Sequence, residues 1–203
     1  GYAILKEILT YEMQRPFSFI DIACGDAGYS SKVLRDTLVR EYIGIDVADE
    51  ALGYARENFR DSGIDAKFIK ADFLDFLNVI NDQADVIWVG FSVHHLDTED
   101  KLAFMKDVKK ALRKGGLFML YEPMLLEGEY RAGYYRRFRK TYDTYWKGLD
   151  EEEAETLFEH IRETEKPETT EKWIGLGREA GFGNAGKVFS DNTGLYEIFK
   201  YTS

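Results

Sequence analysis

The stretch FIDIACGDAGYSSKVL, Phe19 to Leu34, decides the fold. An apolar run closes on Asp21, a loop of small residues follows, and a helix-like pattern opens beyond it. The loop Ala23-Cys24-Gly25-Asp26-Ala27-Gly28 reads A-x-G-x-x-G, one alanine short of the dinucleotide fingerprint. Small residues between a strand and a helix let a ligand come close to the backbone, and the first helical turn offers free N–H groups. The same pattern also serves as a plain tight turn. Its charges separate the ligand classes. Asp21 and Asp26 would repel a pyrophosphate, which disfavours a nicotinamide dinucleotide and a dehydrogenase. They suit a ligand with an ammonium group and a cationic sulfonium, whose carboxylate could still use the loop N–H groups.

On both sides of this loop, strand-like and helix-like segments alternate. AILKEILTYEM predicts a short helix ahead of the first strand. SFIDIA, EYIGIDV, AKFIKADF, ADVIWVG and LFMLYEP predict five strands, and ADVIWVG is apolar on both faces, as a central parallel strand should be. The segments between them read as helices: Val33, Leu34 and Leu38 form one stripe, DEALGYARENFRDSG is stopped by Gly63, and TEDKLAFMKDVKKALRKGG is ended by Gly115 and Gly116. After Pro123 the rhythm changes. Residues 124–166 hold two helices and no strand, with Tyr135, Phe138, Tyr142 and Tyr145 on one helical face. TTEKWIGLGREAGF predicts a last helix, and DNTG joins AGKVFS to LYEIFKY as a closing hairpin. The expected fold is one α/β domain over residues 1–203, a doubly wound, mostly parallel sheet with helices on both faces. Residues 1–16 carry the leading helix, 17–123 the cofactor-binding core, 124–166 a helical lid, and 167–203 the last helix and hairpin. In such sheets ligands bind outside the carboxyl ends of the strands.

Two further acids stand at predicted strand ends. Asp46 lies 21 residues beyond Gly25, a spacing that suits an acceptor for ribose hydroxyls. Asp72 closes KADF and could accept from an adenine amino group, with Phe73 beside the ring. A lone strand-end Asp is usually a cap or turn former; Asp21, Asp46 and Asp72 on three successive strands make that reading less attractive. With a methionine-like cation at one end and a nucleoside at the other, the ligand they describe is S-adenosylmethionine.

Over residues 17–123 the chain resembles the class I S-adenosylmethionine-dependent methyltransferases. DIACGDAG is similar to the family's D/E-x-G-x-G-x-G motif, with Asp21 in the acidic position, Gly25 as the central glycine, and Ala23 and Ala27 where glycine is usual. GIDVAD resembles the ribose-binding motif, giving Asp46 and Val47. KADFLDF resembles the adenine-reading segment, giving Asp72 and Phe73. ADVIWVGFSVHHL resembles the fourth motif, whose Gly90 and Phe91 would line the cofactor, and LRKGGLFMLYEP the turn and fifth strand. The resemblance implies a seven-stranded sheet with the last strand antiparallel, S-adenosyl-L-methionine as cofactor and S-adenosyl-L-homocysteine as product. The cofactor would touch Asp21, Ala23, Cys24, Gly25, Asp46, Val47, Asp72, Phe73, Gly90 and Phe91.

Methyl transfer is an in-line displacement that gains much of its rate from positioning. A phenol or protonated amine must also lose a proton, which a nearby histidine could take. His94 and His95 follow the fourth strand and are the candidate catalytic residues, although either could simply hold the loop. They match no strong metal-ligand spacing, so no metal is expected. Cys24 reads as packed in the loop, and Glu122 as a solvated strand-end acid. In the lid, Tyr134, Tyr135, Phe138, Arg139 and Tyr142 are the candidate substrate contacts: aromatic walls for an aromatic or apolar substrate, and Arg131, Arg136, Arg137 and Arg139 for a carboxylate or phosphate. The blander reading makes the aromatics a packing face and the arginines a solvated one.

Composition bounds the rest. The 203 residues are 44% hydrophobic and 32% charged, as in ordinary globular domains. A net charge of −10 disfavours nucleic acid and anionic membrane, with Arg131 to Lys140 as the one basic run. No apolar run approaches a membrane span, no signal-peptide pattern opens the chain, and one cysteine forms no internal disulfide, so a cytoplasmic protein is expected. The chain opens on Gly1 rather than Met, as a trimmed chain would. The leading expectation is a small-molecule methyltransferase acting on an O or N nucleophile. An RNA methyltransferase and a non-catalytic cofactor-binding partner domain are the alternatives.

Overall fold

A computed structural model describes residues 1–146 and 148–202. The first half runs α1 (Tyr2–Glu12), β1 (Phe17–Ile22), α2 (Gly28–Leu34), β2 (Val39–Asp46), α3 (Asp49–Phe59), β3 (Asp65–Lys70), α4 (Phe73–Asn78) and β4 (Ala84–Gly90). A 3-10 turn (Val93–His95) leads to α5 (Thr98–Ala111) and β5 (Leu112–Leu125). Then follow α6 (Arg131–Thr141), a π-helical turn (Tyr142–Trp146), α7 (Glu151–Thr164), β6 (Glu168–Thr169), α8 (Thr170–Glu179), β7 (Asn184–Ser190) and β8 (Tyr196–Thr202).

The main sheet has the order β3-β2-β1-β4-β5-β8-β7. The pairs among β1 to β5 are parallel, and β8 runs antiparallel to both neighbours. These are the seven strands expected. An eighth, the two-residue β6, pairs with the end of β5, so the total is eight rather than seven. The β4 pattern explains the layers. Val86 and Trp88 point to one face with Phe19 and Tyr42, under α1, α2 and α3. Ile87 and Val89 point to the other with Ile20 and Phe118, under α4, α5 and α8. A central strand must be apolar on both faces, and this one is buried from Ala84 through Val89. β1 and β4 are neighbours whose onward connections diverge, so a crevice opens at their carboxyl ends.

Four local expectations are corrected. Leu38 is half exposed at the start of β2, because α2 stops at Leu34. The third strand ends at Lys70; Asp72 instead caps α4, accepting from the Leu74 N–H at 2.8 Å. α5 ends at Ala111, ahead of the glycine pair, where Leu112 already pairs with Ala84. Across α6 and the π-helical turn the buried stripe is Tyr134, Phe138 and Tyr142, with Tyr135 half-buried and Tyr145 exposed. Tyr142 sets this register by packing edge-on against Phe158 of α7, ring centres 5.1 Å apart. The π-helical turn that starts there widens the helix and rotates Tyr145 outward.

The helices α6 and α7 share a core of their own, with Leu195 from the β7–β8 turn. Their stem is narrow. Met124 and Leu125 at the end of β5 pair with Glu168 and Thr169 of β6. This helical insertion therefore leaves and rejoins the sheet at one point on its carboxyl edge.

Candidate functional site

The glycine loop is unusually bent. Ala23, Gly25 and Ala27 have φ of 53°, 54° and 49°. Left-handed backbone at an alanine costs about 1–2 kcal/mol, because its Cβ crowds the following carbonyl. The sharp turn thus stores strain where glycine would relax it. Ala23→Gly relieves about 1–2 kcal/mol of strain but loses about 0.4–1 kcal/mol to the freer unfolded chain, so stability is expected to rise by up to about 1 kcal/mol and the melting temperature by up to about 2–4 °C. Differential scanning calorimetry checks it. Ala27→Gly should gain less, since the Ala27 methyl is buried.

The bend aims the loop. A Cβ placed on Gly25 would meet nothing within 4 Å, so the space above this backbone is open to a ligand. The Gly25 N–H donates to Asp46 Oδ2 at 2.9 Å, and the Ala48 N–H to Asp46 Oδ1 at 2.8 Å. Asp46 therefore braces β2 against the loop, and each carboxylate oxygen retains a lone pair for a hydroxyl. Beside it Val47 is exposed, and the Ala71 N–H donates to the Asp46 carbonyl, drawing Asp72 and Phe73 next to it. Phe73 rests edge-on against Phe104. Cys24 is packed toward Gly44, where a Cβ would come within 2.9 Å of its Sγ. Burial holds its thiol well above its ordinary range, which removes it as a nucleophile.

Asp21 lies beneath this loop, 3% exposed. Its Oδ2 accepts from Ser30 Oγ at 2.5 Å and Tyr42 Oη at 2.7 Å. Burial pushes its carboxyl up to about 6, against the pull of both hydroxyls. Asp26, by contrast, is exposed and caps the Gly28 N–H at 2.9 Å. The two acids of the loop thus do different work: one supplies buried charge, the other holds the turn.

At the end of β4, Gly90 leads into Phe91, whose φ is 57°. Its N–H donates to the Tyr121 carbonyl at 2.9 Å, and its ring lies 4.5 Å from Tyr121 and 5.2 Å from Tyr196. Phe91 stays 40% exposed, as does Trp146 at 38%, whose ring stacks on Tyr196. A half-open aromatic surface thus borders the strand edge where the lid meets it.

Two of the three histidines lie on the turn after β4, and the third, His160 of α7, packs against them. The His94 ring is 4.1 Å from His95, and His95 is 5.4 Å from His160 of α7. His94 is buried. Its Nδ1 lies 2.5 Å from Glu122 Oε2, and its Nε2 3.9 Å from Glu165 Oε1. Glu122 is not solvated, as the sequence suggests, but fully buried. It accepts the N–H groups of Ser92, Val93 and His94 and so caps the turn. Strand alternation places Glu122 on the face opposite Tyr121, which single-sequence reading leaves open. His95 is open to solvent on one side, and the partial desolvation of its ring, together with His94, holds its basicity down.

The lid is anchored at two further points. Lys101 of α5 is fully buried and donates to the Lys166 carbonyl at 2.5 Å and Glu168 Oε1 at 3.0 Å. Arg137 donates to the carbonyls of Met124 and Gly194 and, through two nitrogens, to Glu129. Arg131 binds the Arg162 carbonyl, and Arg139 lies over Phe158 and pairs with Glu155. Three arginines of the basic run, Arg131, Arg137 and Arg139, are therefore engaged within the protein. Tyr134, Phe138 and Tyr142 likewise turn into the lid's core. The structure brings Asp21, Ala23, Gly25, Asp46, Val47, Asp72, Gly90 and Phe91 to one edge, and leaves the expected lid contacts behind it. The stretch KLAFMKDV carries two lysines, Lys101 and Lys106, and gives no signal that Lys101 is the buried one.

An open, doubly wound sheet with a bent glycine loop and acids after successive strands is the frame of a nucleoside-cofactor transferase of the Rossmann-like class. Residues 19–116 match a family described as a methyltransferase domain. Over those residues the chain is similar to methyltransferase domains, whose cofactor is S-adenosylmethionine. It is 24% identical over 200 residues to carboxy-S-adenosyl-L-methionine synthase 1 of Yersinia pseudotuberculosis, covering 94% of this chain and 81% of that protein. Among solved structures, an O-methyltransferase family protein from Burkholderia thailandensis is 17% identical with a TM-score of 0.70, covering 99% of this chain and 54% of that one. PigF with SAH is 16% identical with a TM-score of 0.65, covering 98% and 53%. These two share the fold, and the chain spans about half their length. No helix among the described residues is long and apolar enough to cross a membrane.

Proposed function

We propose that the chain methylates an O or N nucleophile of a small molecule held between the Phe91 turn and the lid. The observation that carries this reading is that the cofactor loop after β1 and the segment after β4, with its exposed Phe91 ring and His95, leave neighbouring parallel strands at one sheet edge. The cofactor supplies a methyl group on a sulfonium leaving group. Gly25 and Asp46 hold its nucleoside and methionine parts, Asp72 and Val47 border the adenine, and Gly90 and Phe91 line the reacting end. His95, kept in its neutral form near pH 7, accepts the proton that the acceptor loses as its bond to carbon forms. A net charge of −10 and the engagement of Arg131 and Arg139 within the protein support a small substrate over RNA.

Isothermal titration with S-adenosylhomocysteine tests the site. Asp46→Ala is expected to weaken binding about 10- to 100-fold, as loss of a charge-assisted acceptor costs about 1.5–3 kcal/mol. Failure of the folded wild-type chain to bind would overturn the proposed site. The near full-length match to a carboxy-S-adenosylmethionine synthase supports a second reading, in which the product is a modified cofactor. That product carries an added carboxylate. Lys101 and Arg137, the cations at the base of the lid, are both committed to carbonyls and carboxylates, which favours methyl transfer. Mass spectrometry of the cofactor after incubation separates the two.

A further inference from the structure

We propose that the helical insertion carries a second ligand site, a chamber between α6 and α7 that takes a planar aromatic carboxylate. The chamber has a volume of about 330 Å³, within the ~300–1,000 Å³ of small-molecule sites. Its floor is apolar. Tyr134 and Ile161 are each 2% exposed, and Tyr135 is half-buried. The Tyr134 hydroxyl is taken by Glu165 at 2.6 Å, so the ring serves the chamber as apolar surface. Three exposed arginines stand at its mouth, Arg131 and Arg136 from α6 and Arg162 from α7. Helical spacing gathers them: residues 131, 132, 135 and 136 share one face of α6, and 161 and 162 close the chamber from the last turn of α7. Arg131 Nη2 donates to the Arg162 carbonyl at 2.9 Å, which joins the two sides of the mouth.

Charge decides the occupant. Among the described residues, no carboxylate lines the chamber. Arg162 has two loose partners, Glu159 at 3.5 Å and Glu163 at 3.9 Å, with all three side chains more than half exposed. Such pairs contribute little. Arg136 makes no ion pair, because the nearby Glu129 is held by Arg137 at 2.7 Å. The chain has 37 acidic residues against 27 lysines and arginines, yet this one opening is positive. A positive mouth on an acidic protein attracts an anion. The guanidinium fork matches a carboxylate through paired N–H donors and also stacks on flat rings. The Tyr134 and Tyr135 rings favour a planar apolar body beneath that carboxylate. None of the lining residues belongs to the cofactor edge, so the chamber is separate from the place of methyl transfer.

Titration calorimetry with 2-naphthoate tests the chamber, and 2-naphthalenemethanol and inorganic phosphate serve as the body without the charge and the charge without the body. Naphthoate is expected to bind with a Kd of about 1 mM or tighter. The alcohol and phosphate are each expected to bind at least about tenfold more weakly. Saturating S-adenosylhomocysteine is expected to leave the naphthoate affinity unchanged within about twofold, and the titration without it stands whether or not the cofactor binds. Arg136→Gln, which keeps the stem and removes the charge, is expected to weaken naphthoate about three- to fivefold, as fits one exposed pair. Ala132→Phe, which fills the chamber from an exposed position, is expected to abolish binding. Both variants should keep the wild-type melting temperature, and should Ala132→Phe not fold, Arg136→Gln decides alone. No binding of naphthoate would overturn the proposal. So would an alcohol that binds equally well, competition by S-adenosylhomocysteine, or an Arg136→Gln variant with unchanged affinity.

Discussion

Glu122→Ala is expected to destabilise the fold by about 4–5 kcal/mol, the largest effect of any single change at this site. The carboxylate is 0% exposed and accepts three backbone N–H groups and the His94 ring. Hydrogen bonds to a charged group contribute about 1.5–3 kcal/mol each, and breaking a buried pair from one side costs about 3–5 kcal/mol. The effects of one residue's bonds overlap, so the lower figure for the set applies. Alanine would leave those donors dry and unpaired. Glu122→Gln gives a sharper test. Its carbonyl can still serve Ser92 and Val93, but its NH2 group meets the His94 side donor to donor. About half the loss is expected. Urea unfolding measures both, with an unchanged m-value as the sign that only the native state is affected. Because the turn begins three residues after Gly90, binding of S-adenosylhomocysteine should weaken along with stability.

The sequence makes the sheet legible because β4 and β1 carry period-two and all-apolar signals that only a central strand shows. It makes the cofactor edge legible because charge, spacing and small residues there are set by local chemistry. What it hides depends on distant partners. Asp72 reads as a strand end, but its carboxylate turns to the Leu74 amide and starts a helix. Glu122 looks solvated until its partners, some thirty residues earlier in the chain, are in place. Lys101 finds its acceptors 65 and 67 residues later. The lid aromatics follow helical spacing, yet which stripe is inside depends on a π-helical turn that periodicity does not encode. Ala23 and Ala27 run against local preference, since both adopt a backbone that glycine favours. Such conflicts concentrate where function sets the geometry.

Asp21→Asn is expected to stabilise the protein while weakening its hold on the cofactor. The Asp21 carboxyl is pushed up to about 6 from an ordinary 3.8 because burial disfavours its charge. An acid whose folded value is raised lowers stability as pH rises. The penalty is absent below about pH 4, grows between 4 and 6, and is complete above 6. A shift of about two units corresponds to about 3 kcal/mol at neutral pH. Asparagine removes the charge and keeps an oxygen for Ser30 and Tyr42, so stability at pH 7 should rise by up to that amount. The wild type should lose stability between pH 4 and 6 relative to the variant, and the two curves should meet below pH 4. Denaturant titrations across that range read the difference directly. A protein that tolerates such a penalty needs the charge for something. A cation bound over the Gly25 loop would stabilise the ionised form and draw its value back down. Binding of S-adenosylmethionine near pH 5.5 should therefore release protons, visible as a buffer-dependent enthalpy in titration calorimetry. In Asp21→Asn that release should disappear and affinity should fall about tenfold or more. An unchanged affinity would mean that the buried charge serves only the fold, which its cost of about 3 kcal/mol argues against.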